Sequence, residues 1–425
     1  MFCSCPNRHF GEEPNRFLCP TCLGLPGALP VPNRQAIENT IAIALAFNCQ
    51  INRKFWFDRK NYFYPDLPKG YQISQHFAPI GIKGQVPILI EGKTKMIGLS
   101  DIHLEEDTGK LIHQDQVTLI DFNRSGVPLV EIVSRPEISS AQEAKAYLKR
   151  IQQTIRWLGF SDCDMEKGSM RLEANVSVKR QKAKGKRQKL PSYKVEIKNL
   201  NSFRFVERAI EYEIRRQIEI LERGEKPKQE TRGFDPEKGI TYAQRSKEVA
   251  KDYRYFPEPD IPPFELTQEE INRLRQNLPS LPWEEEEKII QLGLNWQWAQ
   301  IIARTKDRAR LFWQAREKGQ NKGITDKEIA NWLVNRSLPE NISSEDLVAL
   351  IVKEKSRFSL SQEEIASVVE TVLRENSKAV EDYRKGKTQV IGFLIGQVQR
   401  KTQGKADPNI SRKLIEQRLN NCLTK

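Results

Sequence analysis

The stretch PEPDIPP at residues 257–263 divides the sequence into two regions of different character. A cluster of prolines cannot continue a helix or a central strand, and it usually marks a linker. Before it, short β-rich runs such as VPILIEGK at residues 86–93 and QVTLID at residues 116–121 alternate with Gly, Pro and Asn or Asp. After it, the pattern is helical. These patterns predict an α+β domain with a mixed or antiparallel sheet at residues 1–264.

Two helices interrupt the α+β region. One runs from Ser140 to Leu158, and the other runs from Ser202 to about Arg223, where apolar residues recur near helical spacing before Gly224 stops the run. We expect both helices to pack on a sheet.

The region after the proline cluster carries helix-start signals. In a capping box, a Ser or Thr and a Glu three residues later satisfy the free backbone N–H groups of a helix start. Such boxes pair Thr267 with Glu270, Thr325 with Glu328, and Ser361 with Glu364. With breaks at Pro339 and near Ser359, the pattern predicts an all-α helical domain at residues 265–357 and a small all-α tail domain at residues 358–425.

The composition is that of a globular protein with a polyanionic partner. Of the 425 residues, 38% are hydrophobic and 29% are charged, and the net charge is +13. A positive surface attracts nucleic acid above all. No apolar run is long enough to span a bilayer, so we expect no membrane partner. Seven cysteines are too few for a disulfide scaffold and no signal peptide is evident, which indicates a cytoplasmic location.

A basic stretch, KRQKAKGKRQK, occupies residues 179–189 between two strand-like runs. It could be the tip of a hairpin that contacts phosphates. It could equally be a solvated basic loop. The sequence leaves both interpretations open.

Four cysteines near the start of the chain form two close pairs. Cys3 and Cys5 are separated by one residue, and Cys19 and Cys22 by two residues. Four thiolates on two such pairs are the ligands that a tetrahedral structural zinc ion requires, and we predict this site, with His9 as a spare ligand. The alternative is a set of unpaired structural cysteines.

Acidic residues recur in HLEEDTGK at residues 103–110 and in DFNRSGVPLVE at residues 121–131. Carboxylates of this kind suit a hard cation that holds nucleotide phosphates, although consecutive acids also occur in solvated turns. Acid, amide and basic groups recur in EKGSMRLEAN at residues 166–175 and in KVEIKNLNSFR at residues 194–204. Strand alternation would place several of these groups on one sheet face, which is either a site for magnesium and a nucleotide or simply a solvated face.

Other nucleotide-binding and hydrolytic motifs are absent from the sequence. No Gly-rich loop precedes a Lys-Ser or Lys-Thr pair, and no dinucleotide fingerprint opens a βα unit. The sequence has no Gly-x-Ser-x-Gly motif, and its four histidines do not suggest a catalytic triad. Any nucleotide must therefore be held by the sheet.

Several motifs resemble one family closely. They are LGLPGALPV at residues 23–31, FDRKNYFYPD at 57–66, DYRYFPEPD at 252–260, GFLIGQ at 392–397 and GKADP at 404–408. With the acidic stretches above, they resemble the B-subunit family of the GatCAB tRNA-dependent amidotransferases along nearly the whole chain.

The resemblance implies a fold, an activity and partners. Members of this family are understood to use ATP and magnesium to phosphorylate the side-chain carboxyl of glutamate or aspartate that is mischarged on the tRNA for glutamine or asparagine. Ammonia, released from glutamine by a separate amidase subunit, then displaces the phosphate. We therefore expect a heterotrimer with that A subunit and a small C subunit, and a catalytic cradle resembling the glutamine synthetase fold.

The resemblance also assigns roles to residues. Glu106 and Glu131 match the magnesium-holding carboxylates, and Glu105 and Lys198 match neighbouring positions that contact the phosphate or acyl group. Basic residues of the tail would contact tRNA phosphates, with a strength that falls as salt rises. These residues are Lys385, Lys387, Arg400 and Lys401.

The start of the sequence departs from the family pattern. Members normally begin about 20 residues earlier with a Gly-Leu-Glu-(Ile/Val)-His strand, whose Glu and His help to hold magnesium. We expect this strand to be missing here through a misassigned start, with Met1-Phe2 matching an internal apolar residue and Phe.

Two rival functions remain open. A relative that lost catalysis could keep the basic helices and the zinc site as a tRNA-binding adaptor. A free-standing ATP-dependent ligase acting on a small carboxylate would use a similar cradle. The sequence does not distinguish glutamate-charged from aspartate-charged tRNA as substrate.

Overall fold

The computed structural model describes residues 1–179, 190–246, 252–357 and 360–421. They form two compact units, Met1–Glu285 and Glu286–Lys425. Apart from Lys179, the basic stretch predicted to be a hairpin tip or a solvated loop lies outside the described residues.

The first unit is mixed α+β, as predicted. Its helices are α1 (Arg34–Ala46), α2 (Ala141–Leu158), α3 (Phe203–Glu222) and α4 (Gln268–Gln276). Its strands are β1 (Gln50–Ile51), β2 (Lys54–Phe55), β3 (Asp58–Asn61), β4 (Tyr71–Ser74), β5 (Gly81–Ile82), β6 (Gln85–Ile90), β7 (Lys93–Glu106), β8 (Lys110–Gln114), β9 (Val117–Asp121), β10 (Pro128–Ser134), β11 (Ala174–Val176), β12 (Val195–Lys198), β13 (Glu230–Asp235), β14 (Ile240–Ser246), β15 (Phe256–Pro257) and β16 (Phe264–Glu265).

The strands form several small sheets rather than one large sheet. The first sheet has the order β1-β5-β7-β10, and β6 also pairs with β7. The second sheet has the order β11-β12-β13-β14, in which the β12–β13 pair is parallel and the β11–β12 and β13–β14 pairs are antiparallel. A third sheet has the order β15-β3-β4, and two-stranded sheets join β16 to β2 and β8 to β9.

The long strand β7 organises the first sheet. A two-residue turn at Glu91 and Gly92 reverses the chain between β6 and β7, and both residues have positive φ values of 50° and 78°. Such turns fit the right-handed twist of a hairpin and favour Gly at the second position. After the turn, β7 continues to Glu106 and pairs along its second half with β10.

The two helices predicted within the α+β region are confirmed. The side chain of Ser140 caps α2 and that of Ser202 caps α3, and α2 ends at Gly159 with a φ of 77°. On α2, Tyr147 and Ile151 pack in one apolar cluster with residues of β6 and β7. Apolar residues of α3 pack in another cluster with β12 and β13. Both helices therefore cover sheets.

The second unit is helical, as predicted. Helix α5 (Pro282–Gln291) crosses the division between the units. The helices that follow are α6 (Trp296–Ile302), α7 (Lys306–Gln320), α8 (Asp326–Asn335), α9 (Ser344–Arg357), α10 (Gln362–Glu375), α11 (Ser377–Arg384), α12 (Val390–Lys401) and α13 (Pro408–Asn421). One apolar core lies around Phe312 and Leu333, and another around Leu394 and Ile415.

The three predicted capping boxes are all formed, at Thr267, Thr325 and Ser361. The first of them begins α4, where Ile271 packs into a core of the first unit. The division between the compact units thus falls after α4, whereas the predicted domain boundary falls at residue 264. That boundary and the one at residue 358 stay predictions.

Among the described residues, no helix combines the length and the apolar character needed to cross a lipid bilayer.

Candidate functional site

Strands β7 and β10 bring an imidazole and two carboxylates together. Their antiparallel register places Glu131 directly opposite His103 and Leu129 opposite Glu105. Alternation along β7 puts His103 and Glu105 on one face, and cross-strand pairing adds Glu131 to that face. One ligand atom from each of these three residues lies within 4.8 Å of the others. We call them the carboxylate cluster.

Hydrogen bonds hold His103 between two acids. Its Nδ1 lies 2.8 Å from Oδ1 of Asp101, and its Nε2 lies 3.4 Å from Oε2 of Glu131. Burial alone would lower the pKa of His103, but the bonds to Asp101 and Glu131 outweigh it and raise the pKa to about 10. The imidazole therefore carries a proton at neutral pH when no cation is bound.

The two carboxylates of the cluster differ in environment. Burial first, and then the charge of Glu131, raises the pKa of Glu105, although Lys60 and His103 counteract this. Ser74 on β4 donates a hydrogen bond of 3.1 Å to Oε2 of Glu105. The hydrogen bond with His103 lowers the pKa of Glu131, whose side chain is 53% exposed. The cluster is thus open to solvent at Glu131.

The donor set fits a divalent cation. Mg²⁺ binds through one or two carboxylates and fills its other positions with water and substrate phosphates. Glu105 and Glu131 offer such oxygens directly. A cation that used His103 as a ligand would have to displace its proton.

Glu106 lies apart from the carboxylate cluster because it follows Glu105 in the strand. Its carboxylate accepts hydrogen bonds from Lys69 Nζ at 2.5 and 2.6 Å and from the N–H of Ile73 at 2.8 Å. The side chains of Glu106 and Lys69 are 4% and 12% exposed. The family resemblance grouped Glu106 with Glu131 and gave His103 no role, whereas the register groups Glu131 with Glu105 and His103. The alternation of side chains along a strand was the signal in the sequence that could have grouped His103 with Glu105 and separated Glu106 from them.

Lys198 lies at the end of β12 in the second sheet. Its Nζ is 3.0 Å from Oε1 of Glu173 and 3.9 Å from Oε1 of Glu196. Burial lowers the pKa of Lys198, but the charge of Glu173 outweighs it, so the pKa is raised. In the described part of the chain, the ion pairs of Lys198 are with these two glutamates and not with the carboxylate cluster.

The four N-terminal cysteines converge. The sulfur of Cys22 lies 3.3 Å from that of Cys3 and 3.5 Å from that of Cys19, and all four sulfurs, including that of Cys5, lie within 4.8 Å of one another. Tetrahedral Zn–S bonds imply sulfur separations of about 3.8 Å, so the donor set and its geometry fit zinc.

We call Cys3, Cys5, Cys19 and Cys22 the cysteine cluster. Three of its thiols have shifted pKa values. Burial raises the pKa of Cys5 to about 11 and also raises that of Cys22. Burial would raise the pKa of Cys19 too, but hydrogen bonds from Cys22 outweigh it and lower the pKa to about 7.

His9 is not a member of the cysteine cluster. Burial, and then the charge of Arg124, lowers the pKa of His9, and Asp107 and Asp121 counteract this. The structure thus gives His9 acidic and basic neighbours.

The four basic residues predicted to contact tRNA are exposed at the two ends of α12. Lys385 and Lys387 lie between α11 and α12, and Arg400 and Lys401 lie in the last turn of α12. Lys387 pairs with Asp382 at 3.1 Å, and Lys401 pairs with Glu375 at 2.5 Å. A helix rises 1.5 Å per residue, so roughly 15–18 Å separates the two groups.

Comparisons with known proteins identify two matching families. The model described as the GatB/GatE catalytic domain matches residues 1–272. The model described as the GatB domain matches residues 319–419.

Curated relatives match nearly the whole chain. The three described here are each named as the B subunit of aspartyl/glutamyl-tRNA(Asn/Gln) amidotransferase. The protein from Carboxydothermus hydrogenoformans is 41% identical over 99% of this chain and 95% of the relative. The protein from Persephonella marina is 42% identical over 98% of this chain and 95% of the relative. A Thermus thermophilus protein is 40% identical over 98% of this chain and 94% of the relative.

Proposed function

The chain belongs to the GatB family, and we propose that it activates the side-chain carboxyl of a misacylated tRNA for amidation. The substrates are glutamate on the tRNA for glutamine, aspartate on the tRNA for asparagine, or both. The products are the correctly amidated aminoacyl-tRNAs. The observation that carries this proposal is the convergence of His103, Glu105 and Glu131 at the end of β7.

The reaction follows from the chemistry of the substrate. A carboxylate is a poor electrophile at neutral pH, so it must first gain a good leaving group. An oxygen of the side-chain carboxylate attacks the γ-phosphorus of ATP, which releases ADP and forms an acyl phosphate. Ammonia attacks the acyl carbon, the C–O bond breaks, and phosphate leaves as the amide forms. Mg²⁺ held by Glu105 and Glu131 would supply positive charge to offset that of the transferred phosphoryl group.

The residues of the carboxylate cluster hold and orient the reactants. Glu105 and Glu131 would hold Mg²⁺ through their oxygens, and His103 fixes the position of Glu131 through the 3.4 Å contact. The alternation of β7 supports Glu105 rather than Glu106 as the partner of Glu131. Lys198 would contact the phosphate or the acyl group after leaving Glu173, since its side chain is 41% exposed.

The domain organisation follows the same function. We propose a catalytic cradle of glutamine synthetase type at residues 1–264, a helical domain at residues 265–357 and a tRNA-binding tail domain at residues 358–425. The small sheets of the first unit and their polar strand ends support the cradle. A zinc ion on Cys3, Cys5, Cys19 and Cys22 would be structural, because four thiolates leave no open position for a substrate.

Partner subunits supply the ammonia. The relatives are named as the B subunit of an amidotransferase, so we propose an assembly with an amidase A subunit and a small C subunit. Lys385, Lys387, Arg400 and Lys401 would contact phosphates of the tRNA. The chain would lack glutaminase activity by itself.

The experiment is an amidation assay on the subunit assembly with ammonium chloride in place of glutamine, which bypasses the amidase. Misacylated tRNA, ATP and Mg²⁺ are supplied, and the amino acid released from the tRNA is identified. We expect glutamine or asparagine that depends on ATP. Tight tRNA binding without amidation would instead favour the tRNA-binding adaptor, and ATP turnover without tRNA would favour the small-carboxylate ligase.

A further inference from the structure

Four aromatic side chains form a group beside β3 and β4. His76 stacks on Tyr255 with ring centroids 4.0 Å apart and an interplanar angle of 9°. Phe77 meets His76 nearly edge-on at 4.9 Å and Tyr255 at 6.4 Å, and Tyr253 lies 5.9 Å from Tyr255. We call these four residues the aromatic shelf.

The aromatic shelf is exposed at His76 and Phe77 and half-buried at Tyr253 and Tyr255. His76 is exposed, and Phe77 is 56% exposed. Their backbone N–H groups donate hydrogen bonds of 2.7 and 2.9 Å to Oδ2 of Asp58, which is fully buried. The other oxygen of Asp58 accepts a bond of 3.1 Å from the indole N–H of Trp56. The rings of His76 and Phe77 therefore stand on a fixed backbone, which lowers the entropy cost of binding a flat ligand.

The aromatic shelf adjoins the carboxylate cluster through consecutive residues. Ser74 donates to Glu105, and Oε1 of Gln75 accepts a hydrogen bond of 2.9 Å from the N–H of Leu104 on β7. His76 and Phe77 follow directly. Because a chain advances at most about 3.5 Å per residue, the backbone of Phe77 lies within roughly 11 Å of that of Ser74. One nucleotide can span such a gap.

Charge at the shelf also suits a nucleotide. Nζ of Lys60 lies 5.2 Å from the ring centroid of Tyr253 and 5.7 Å from that of Tyr62. Arg254, whose side chain is 83% exposed, extends from the same segment as Tyr253 and Tyr255, and its Nε lies 3.9 Å from Oδ2 of Asp252. Stacking rings beside cations are the recurring way in which proteins bind bases and phosphates together. Binding an apolar surface of a protein partner would not require the positive charges of Lys60 and Arg254.

We propose that the aromatic shelf stacks an adenine ring whose phosphate or ester end lies at the carboxylate cluster. Stacking does not discriminate between bases, so the base that binds is the one that the substrates carry. Adenine is the base of ATP and also the terminal base of a tRNA acceptor end. The inference rests on the proposed function, which requires both substrates at this cluster.

The test compares ligands with and without the base on the full chain. One arm measures the affinity for ADP with Mg²⁺ against that for pyrophosphate with Mg²⁺, which has the same number of phosphates. The other arm measures the affinity for tRNA with its terminal adenosine against tRNA that lacks it. Phe77→Leu and Tyr255→Leu remove rings, whereas Tyr255→Phe keeps the ring. Phe10→Leu is the matched control, because Phe10 is 61% exposed and lies outside the aromatic shelf.

The expected result is a base preference that the wild type, Tyr255→Phe and Phe10→Leu share. In Phe77→Leu and Tyr255→Leu the ligand that carries the base should bind roughly 5- to 150-fold more weakly, with the base-free ligand unchanged. A loss in the ADP arm alone assigns the shelf to ATP, and a loss in the tRNA arm alone assigns it to the acceptor end.

Three results would overturn the inference. One is an undiminished base preference in both Leu variants. Another is equal weakening of ligands with and without the base, which would indicate a structural role or a surface for a protein partner. The third is a wild type without base preference in either arm, which would leave amidation itself untouched. The two proposals can also fail separately. If the chain shows the base preference but its subunit assembly does not amidate misacylated tRNA, only the proposed function is overturned.

Discussion

Glu131 on β10 stands directly opposite His103 on β7, and the Nε2 of His103 lies 3.4 Å from the Oε2 of Glu131. This pair joins two acidic stretches across 28 positions of the sequence, and it brings Glu105 into the same cluster. The predictions for catalysis depend on this register.

Glu131→Gln should abolish activation while it leaves tRNA binding intact. The change removes one of the two negative charges proposed to hold Mg²⁺, because it replaces a carboxylate by an isosteric neutral amide. We expect ATP-dependent amidation to fall at least about 100-fold. The dissociation constant for tRNA should change less than about twofold, because distant basic residues supply the phosphate contacts. Amidation at the wild-type rate would remove Glu131 from the site.

Glu105→Gln and Glu106→Gln should separate catalysis from stability. In Glu106→Gln, Lys69 is left as a buried cation without its partner, which costs about 3–5 kcal/mol of unfolding free energy. In Glu105→Gln, the change relieves repulsion from Glu131, so the unfolding free energy should not fall, whereas Mg²⁺-dependent ATP turnover should be lost. Denaturant unfolding and ATPase assays measure the two effects. If Glu106→Gln instead lost ATP turnover and Glu105→Gln instead lost stability, Glu106 rather than Glu105 would be the metal ligand.

Cys22→Ser should release zinc and destabilise the first unit. The sulfur of Cys22 is close to those of both Cys3 and Cys19, so its loss leaves an incomplete tetrahedral set. We expect about one zinc per chain in the wild type by mass spectrometry of metals, much less in the variant, and a lower Tm. Cys163→Ser is the control and should keep its zinc, since Cys163 lies outside the cysteine cluster. Equal metal content in all three proteins would contradict the zinc site.

Arg400→Ala should weaken tRNA binding and reduce its salt dependence. Each phosphate contact that is lost lowers the slope of log affinity against log salt by about 0.7–0.9. Filter binding at several salt concentrations measures that slope. Lys322→Ala serves as the comparison, because Lys322 is equally exposed and lies in the loop before α8. Parallel salt curves for Arg400→Ala and the wild type would show that Arg400 does not touch the tRNA backbone.

Helix α1 was not predicted, whereas the helices with strong cap signals were predictable because those signals are local. The cap residues Ser140 and Ser202 and the capping boxes at Thr267, Thr325 and Ser361 each act within one turn of chain. The convergence of the four N-terminal cysteines was also predictable from their spacing and from the ligand chemistry of zinc. Motif resemblance gave the family, which the comparisons confirm.

The geometry of the carboxylate cluster was not predictable in the same way. Whether Glu105 or Glu106 faces Glu131 depends on the register of β7 against β10, which neither stretch contains by itself. The contacts of Asp58 with His76 and Phe77 and of Ser74 with Glu105 arise from tertiary packing. They leave no signal in the spacing of residues.

The most direct measurement follows the oxygen of the substrate carboxylate. The side-chain carboxyl of glutamate on the misacylated tRNA is labelled with ¹⁸O and supplied to the subunit assembly with ATP, Mg²⁺ and ammonium chloride, and the phosphate released is analysed by mass spectrometry. Activation through an acyl phosphate predicts that each phosphate carries one ¹⁸O, since the bond that breaks joins the acyl carbon to that oxygen. Amidation with unlabelled phosphate would contradict carboxyl phosphorylation.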